Sequence, residues 1–212
     1  RKKISMVQAA YLGKMNVKTT KMEVTMQESI NKMRSICVFC GAQNAVPKIY
    51  IEMADTLGRD MAKAGKQLVY GGGDCGLMGA VANGVLKEGG KAIGVFPRSL
   101  GRIEVEHRGL TEMHMVDSMH ERKQIMYDNA DTFVILPGGC GTLDEMFEVI
   151  TWRQIKIHEK LVIIYNFNGY WDHLVTLLDH MVNVGFARPE TRQFYTVANT
   201  KEELYTLLGL AA

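Results

Sequence analysis

The stretch that decides the fold reads Thr132-Phe133-Val134-Ile135-Leu136-Pro137-Gly138-Gly139-Cys140-Gly141-Thr142-Leu143-Asp144-Glu145. An apolar run of strand length stops at a proline, turns through three glycines in four residues, and continues into an amphipathic stretch. Glycine permits a sharp turn and lets the backbone approach a ligand with no Cβ in the way. A helix that starts there presents unsatisfied N–H groups and the positive end of its dipole. Together these features make an anion site, and phosphate is the usual anion. The bland alternative is a tight strand-to-helix turn with an N-cap, but a plain turn rarely needs so many glycines.

The same alternation extends outward in both directions. Strands are predicted at Ser35–Phe39, Gln67–Tyr70, Ala92–Phe96, Glu112–Val116, Thr132–Leu136, Leu161–Tyr165 and Gln193–Val197. Helices are predicted at Pro47–Ala64, Leu77–Glu88, Met119–Asn129, Thr142–His158, Tyr170–Val184 and Lys201–Leu208, with a polar loop running from Phe96 to Arg108. The strands read as apolar throughout, as burial on both faces requires. The fold class is therefore α/β: a doubly wound, mostly parallel seven-stranded sheet, Rossmann-like, with helices on both faces. In such sheets ligands bind beyond the carboxyl ends of the strands.

At 212 residues the chain suits one domain. Residues 1–32 are polar and rich in Lys and Met, with a short helix possible over Val24–Met33. They read as an extension outside a single domain spanning 33–212, and Met33 would serve as a natural start. A net charge of +2 gives no case for nucleic acid or a membrane surface. No apolar run approaches the roughly 20 residues of a membrane span. The four cysteines lack a disulfide-like spacing, so a reducing cytoplasm is expected.

A second glycine cluster, Gly71-Gly72-Gly73-Asp74-Cys75-Gly76, follows the second strand and matches G-x-G-x-x-G. A dinucleotide site also needs an acidic residue at the end of the next strand. Here that strand ends in Phe96-Pro97-Arg98, which demotes the nicotinamide reading. A third cluster, Met119-His120-Glu121-Arg122-Lys123, puts two cations at a helix start. The dipole disfavours them there, and a bound anion or a carboxylate such as Glu145 would offset the cost; the plain alternative is a solvated basic turn.

Met119-x-x-Arg122-Lys123 together with Pro137-Gly138-Gly139-x-Gly141-Thr142-x-x-Glu145 resembles the LOG ("Lonely guy") family of cytokinin riboside 5′-monophosphate phosphoribohydrolases, long misnamed lysine decarboxylases. The likeness covers roughly Met33 to Gly209, including Cys37–Gly41, Gly71–Gly79, Ile93–Pro97 and Glu148–Trp152. It implies hydrolysis of the N-glycosidic bond of a nucleoside 5′-monophosphate, AMP or an N6-substituted AMP, to free base and ribose 5-phosphate. By the same resemblance Arg122 and Glu145 carry the chemistry. Glu104, Lys123, Gly138, Gly139, Cys140, Gly141, Thr142, Asp144 and Thr151 would contact substrate, as would Met119, Gly72 and Gly73. Where many family members carry small hydroxyl residues, this chain reads Gly41-Ala42-Gln43. The family's older name implies pyridoxal phosphate, but nothing marks a Schiff-base lysine; no cofactor and no metal are expected.

Glycosidic cleavage passes through an oxocarbenium-like state that a carboxylate stabilises. With phosphate on Gly138–Thr142, the ribose falls within reach of Glu145. Arg122 could hold Glu145 ionised, bind phosphate or help the base leave. Glu145→Gln and Arg122→Ala are each expected to abolish base release from AMP while the fold survives. Glu148 reads as a surface pairing residue.

Cys37-x-x-Cys40 has neither a second such pair nor a nearby His pair to make a metal site. Cys140 would need a His base to act as a nucleophile. His158, His173 and His180 fall on predicted helices with packing or surface roles. The helix Thr142–His158 carries Met146, Phe147, Val149, Ile150 and Trp152, more apolar surface than one face needs, which fits a homodimer contact. A nucleotide-binding module without turnover is the other function class; Glu145 favours the enzyme.

Overall fold

The computed structural model describes residues 32–102 and 104–211. The strands are β1 (Ser35–Phe39), β2 (Gln67–Tyr70), β3 (Ala92–Pro97), β4 (Glu112–Val116), β5 (Thr132–Ile135), β6 (Leu161–Tyr165) and β7 (Thr196–Ala198). The described helices are α1 (Lys48–Lys63), α2 (Gly76–Lys87), α3 (Met119–Asp128), α4 (Cys140–Gln154), α5 (Asp172–Asn183) and α6 (Lys201–Leu208). The sheet order is β4-β3-β2-β1-β5-β6-β7 and every pair is parallel. Parallel neighbours need crossovers, and the helices supply them. The order reverses between β1 and β5, which opens a crevice at their carboxyl ends.

Side chains alternate across each strand. On one face Cys37, Phe39, Phe133, Ile135, Val162 and Ile164 form a core with Met126 of α3, Met146, Val149 and Ile150 of α4, and Leu174 and Leu178 of α5. Residues of the opposite register, Ile36, Val38, Leu68, Tyr70, Val134 and Ile163, are buried too, as are Leu57 and Met61 of α1, Val81 and Val85 of α2, and Leu204 and Leu208 of α6. Each such aliphatic side chain contributes about 1.5–3 kcal/mol by leaving water.

Most boundaries fall within two residues of expectation, and a few differences have a clear local cause. The last strand starts at Thr196, not Gln193, because Pro189–Gln193 closes a 3₁₀ turn with proline at its start. α4 runs from Cys140 to Gln154, so Cys140-Gly141-Thr142 form its first turn instead of a loop. It ends where Lys156 takes φ 63° and Ile157 N–H donates back to Trp152 O. His158 therefore lies beyond the helix; its Nε2 is 2.8 Å from Val149 O and its Nδ1 accepts from Lys160 N. β4 is not apolar throughout: Glu112 is exposed and Met113 to Met115 are half-buried, since an edge strand has only one covered neighbour. The polar loop after β3 holds a 3₁₀ turn, Arg98–Arg102.

Of the expected N-terminal extension and its short helix over Val24–Met33, residues 1–31 lie outside the described residues. Arg34–Ala212 make one compact unit. Among the described residues no helix is long and apolar enough to cross a membrane.

Candidate active site

The glycine loop sits at the sheet's reversal point because its backbone is tied there. Leu136 N–H donates to Phe39 O, and Gly41 N–H donates to Pro137 O at 3.0 Å. Gly139 is the N-cap of α4 and offers no side chain to cap it. The N–H groups of Gly139, Cys140, Gly141 and Thr142 meet no acceptor among the described residues. Thr142 is buried and its hydroxyl stands directly over Gly138, where a Cβ would come within 2.1 Å of Oγ1. Gly138 thus has to be glycine for the turn to close.

Three other helix starts at this end of the sheet are capped by the chain itself. At α3, Ser118 Oγ accepts from Glu121 N–H, and Glu121 Oε2 reaches back to accept from Asp117 N–H. At α2, Gly76 N–H donates to Asn44 Oδ1 and Leu77 N–H to Gly41 O. The G-x-G-x-x-G cluster therefore spends its helix N–H groups on the loop after β1 and does not hold them out for a ligand. α6 is capped by Thr200 and Glu203. Of these four helices, α4 alone leaves its start open to an anion.

Arg122 leaves the start of α3 and turns inward, 6% exposed. Its Nε donates to Val95 O at 3.2 Å and its Nη2 to Gly71 O at 3.1 Å. These carbonyls come from β3 and from the end of β2. Gly71 must lack a side chain, because a Cβ there would lie 1.8 Å from Nη2. The remaining nitrogen, Nη1, stands 3.7 Å from Glu145 Oε1. Glu145, on the second turn of α4, is 8% exposed. Burial pushes its carboxyl up to about 7, against the opposing pull of Arg122; the nearby acids Asp144 and Glu104 add to the rise. At neutral pH the group is poised between acid and base, as a general base should be.

Lys123 does not join that pair. Its Nζ lies 3.2 Å from Asp144 Oδ2 and 3.1 Å from Glu148 Oε1, a tie between α3 and α4. Glu148 is thus the pairing residue it was expected to be. Glu104 is held by a strap over the β2–α2 turn: Asp74 N–H donates to Val105 O, His107 N–H donates to Gly72 O, and Gly73 bridges Glu106. Glu104 Oε2 is buried beside Gly73 without a hydrogen-bond partner among the described residues. Gly72 is buried against Phe96 and Met113. Met119, 40% exposed, opens α3 one turn ahead of Arg122. Cys140 is an exposed thiol in the first turn of α4. Thr151 is exposed and stands six residues after Glu145, about 9 Å along the helix axis, so within one chain it does not meet the pair.

Sequence reasoning missed the groups that aim the site. Gly71 O and Val95 O orient Arg122, and backbone acceptors carry no sequence mark. Tyr170 was missed as well: its hydroxyl donates to Gly138 O at 2.7 Å. A signal was available, since Asn168-Gly169 turns the chain just past the carboxyl end of β6, the strand beside β5. Cys37 and Cys40 are free and buried, and burial raises both thiols, so neither offers a thiolate. A separate, mostly apolar cavity of about 210 Å³, lined by Met53, Leu57, Phe167, Leu204 and Tyr205 among others, contains none of the expected site residues.

Fold and site together define a Rossmann-like protein with an open anion cradle and a buried arginine–glutamate pair beside it. A family model described as "Possible lysine decarboxylase" matches residues 78–208. A probable cytokinin riboside 5′-monophosphate phosphoribohydrolase of Oryza sativa subsp. japonica is 41% identical over 174 residues, 82% of this chain and 71% of that protein. The cytokinin riboside 5′-monophosphate phosphoribohydrolase of Rhodococcoides fascians is 43% identical over 160 residues, 75% of this chain and 81% of its own. A probable enzyme of the same name from Arabidopsis thaliana is 41% identical over 188 residues, covering 89% and 93%. The chain belongs to this LOG family. Among solved structures, the molybdenum cofactor binding protein of Rippkaea orientalis matches with a TM-score of 0.64 at 21% identity, over 84% of this chain and 96% of that one. The molybdenum cofactor carrier protein of Chlamydomonas reinhardtii matches at 0.61 and 18%, over 84% and 99%. At such identity these two speak for the fold alone.

Proposed function

We propose that the protein hydrolyses the N-glycosidic bond of a nucleoside 5′-monophosphate, AMP or an N6-substituted AMP, releasing the base and ribose 5-phosphate. The observation that carries this reading is the buried Arg122–Glu145 pair placed one helical turn from the uncapped start of α4. Relatives bearing the same activity in their names support it. The 5′-phosphate takes the free N–H groups of Gly139 to Thr142 and the Thr142 hydroxyl. The ribose then lies over Glu145. As the bond from C1′ to the base nitrogen breaks, its electrons leave with the base and positive charge grows on the sugar. Ionised Glu145 stabilises that charge and takes a proton from the water whose oxygen bonds to C1′; a proton then passes to the departing base nitrogen, so that neutral base leaves and the carboxylate is restored. Arg122, anchored on two backbone carbonyls, fixes the Glu145 carboxylate in place. Glu104, Lys123, Asp144, Met119, Thr151, Gly72 and Gly73 complete the proposed substrate contacts.

We place the enzyme in the cytoplasm as a homodimer. α4 and the turn after it leave Ile155 and Ile157 more than half exposed, with Phe147 and Trp152 partly so, an apolar surface fit for a second copy.

Incubation with AMP, isopentenyl-AMP, GMP and CMP, followed by chromatography of free bases, tests the reading. Adenine-type bases should appear with equimolar ribose 5-phosphate, and adenosine should be a far poorer substrate. Nucleotide binding without base release would instead identify a binding module.

A further inference from the structure

We propose that Tyr170 is a positioning residue for the anion cradle: its hydroxyl holds the Gly138–Gly139 peptide so that the Gly139 N–H, not the Gly138 carbonyl, is offered to the phosphate. The inference rests on the reading of this loop as a phosphate site.

In a trans peptide the carbonyl and the following N–H point in opposite directions. A peptide between two glycines can flip at little steric cost, since neither neighbour carries a Cβ. Flipped, Gly138–Gly139 would turn a carbonyl oxygen toward an anion and withdraw a donor. The loop's other carbonyls cannot do this. Pro137 O is held by Gly41 N–H, and Gly139 O by Leu143 N–H as α4 begins. Gly138 O is held by a side chain, the Tyr170 hydroxyl at 2.7 Å.

That tyrosine is itself fixed. Its ring meets Tyr50 of α1 edge-on at 5.8 Å and Trp171 at 4.7 Å. The chain reaches it through Asn168 and Gly169, both left-handed, at φ 53° and 69°. Asn166 anchors the turn: its Oδ1 accepts from Trp171 N–H, and its Nδ2 donates to Asp172 Oδ1 and Asn199 Oδ1. The hydroxyl is therefore brought to Gly138 O by a braced turn, although the ring is 42% exposed.

The test is Tyr170→Phe, which keeps the ring contacts and removes only the donor. Wild-type and variant protein are compared for ribose 5-phosphate and adenosine binding by calorimetry, for KM and kcat with AMP, and for thermal unfolding. One hydrogen bond of this kind predicts that the ribose 5-phosphate Kd and the AMP KM rise about 3- to 10-fold. The kcat, adenosine binding and unfolding temperature should stay close to wild type. Equal weakening of ribose 5-phosphate and adenosine, or an unchanged ribose 5-phosphate Kd, overturns the role. Failure of wild-type protein to release adenine would overturn the proposed reaction, while the ribose 5-phosphate comparison would still decide on Tyr170. Absence of ribose 5-phosphate binding by wild type overturns the cradle and this role together.

Discussion

Glu145 carries a contradiction that its surroundings explain. A carboxylate 8% exposed would ordinarily surrender its charge. Arg122 stops that only partly, because it stands 3.7 Å away and gives two of its donors to backbone carbonyls. The result is a group that titrates near 7, with two consequences. If ionised Glu145 is the active form, kcat/KM for AMP should rise with pH through about 7 and then level off; a profile flat between pH 5 and 9 would count against the role. Stability should run the other way. Between an unfolded value of 4.5 and a folded one of about 7 the folded protein keeps a proton the unfolded chain releases. Stability is therefore full below that window and falls by up to about 3 kcal/mol as pH rises through it. Glu145→Gln should remove this decline in urea titrations at pH 5 and 8 while cutting turnover about 10²- to 10⁴-fold. Parallel pH dependences in the two proteins would show that Glu145 is not the buried titrating group. Arg122→Ala is a less clean substitution than its sequence context suggests. It leaves Gly71 O, Val95 O and Glu145 short of a partner at once, which should cost about 1–3 kcal/mol for each buried group left unsatisfied.

At the scale of elements, the site depends on how β2, α3 and α4 meet. Gly71→Ala is the sharpest probe of this meeting, since the new Cβ would fall 1.8 Å from Arg122 Nη2 and so displace the guanidinium. Turnover of AMP should drop about 10²-fold or more, as it does when a reacting group is misplaced by an ångström. The circular dichroism spectrum should remain that of wild type; wild-type kcat would show that Arg122 does not need its anchor. The sequence made the elements legible because fully buried parallel strands announce themselves as apolar runs and because proline and glycine mark their ends. It made the start of α4 legible through a glycine turn and Arg122 through a charge at an unfavourable helix end, while the roles of Arg122 and Glu145 came from the family resemblance. What it could not display were relations between distant backbone atoms. The carbonyls of Gly71 and Val95, the N–H groups of α2 consumed by Gly41 and Asn44, and the reach of Tyr170 to Gly138 all depend on strand order, not on spacing along the chain. The last strand departs from expectation chiefly at its start, and on local chemistry, because Pro189 begins a 3₁₀ turn that absorbs Gln193.

For the molecule as a whole, the order β4-β3-β2-β1-β5-β6-β7 puts the Pro137–Thr142 glycine loop at the central reversal and leaves β4 and β7 as edges. One face of the sheet is covered by α3, α4 and α5, and α4 buries Met146, Val149 and Ile150 there. That accounts for one side of α4 only. Ile155 at 60% exposure and Ile157 at 54% continue an apolar surface beyond its end, close in sequence to Thr151, whose proposed substrate contact its own chain's Glu145 does not meet. A net charge of only +2 opposes self-association weakly. In a twofold dimer each substitution acts twice. Ile155→Asp combined with Ile157→Asp should therefore weaken association by at least about 10³-fold, if each position is worth about 2 kcal/mol as a buried anchor. Sedimentation velocity at micromolar concentration should give a dimer for wild type and a monomer for the double variant. A wild-type monomer would refute the dimer itself, and a double variant that remains dimeric would move the interface to another face.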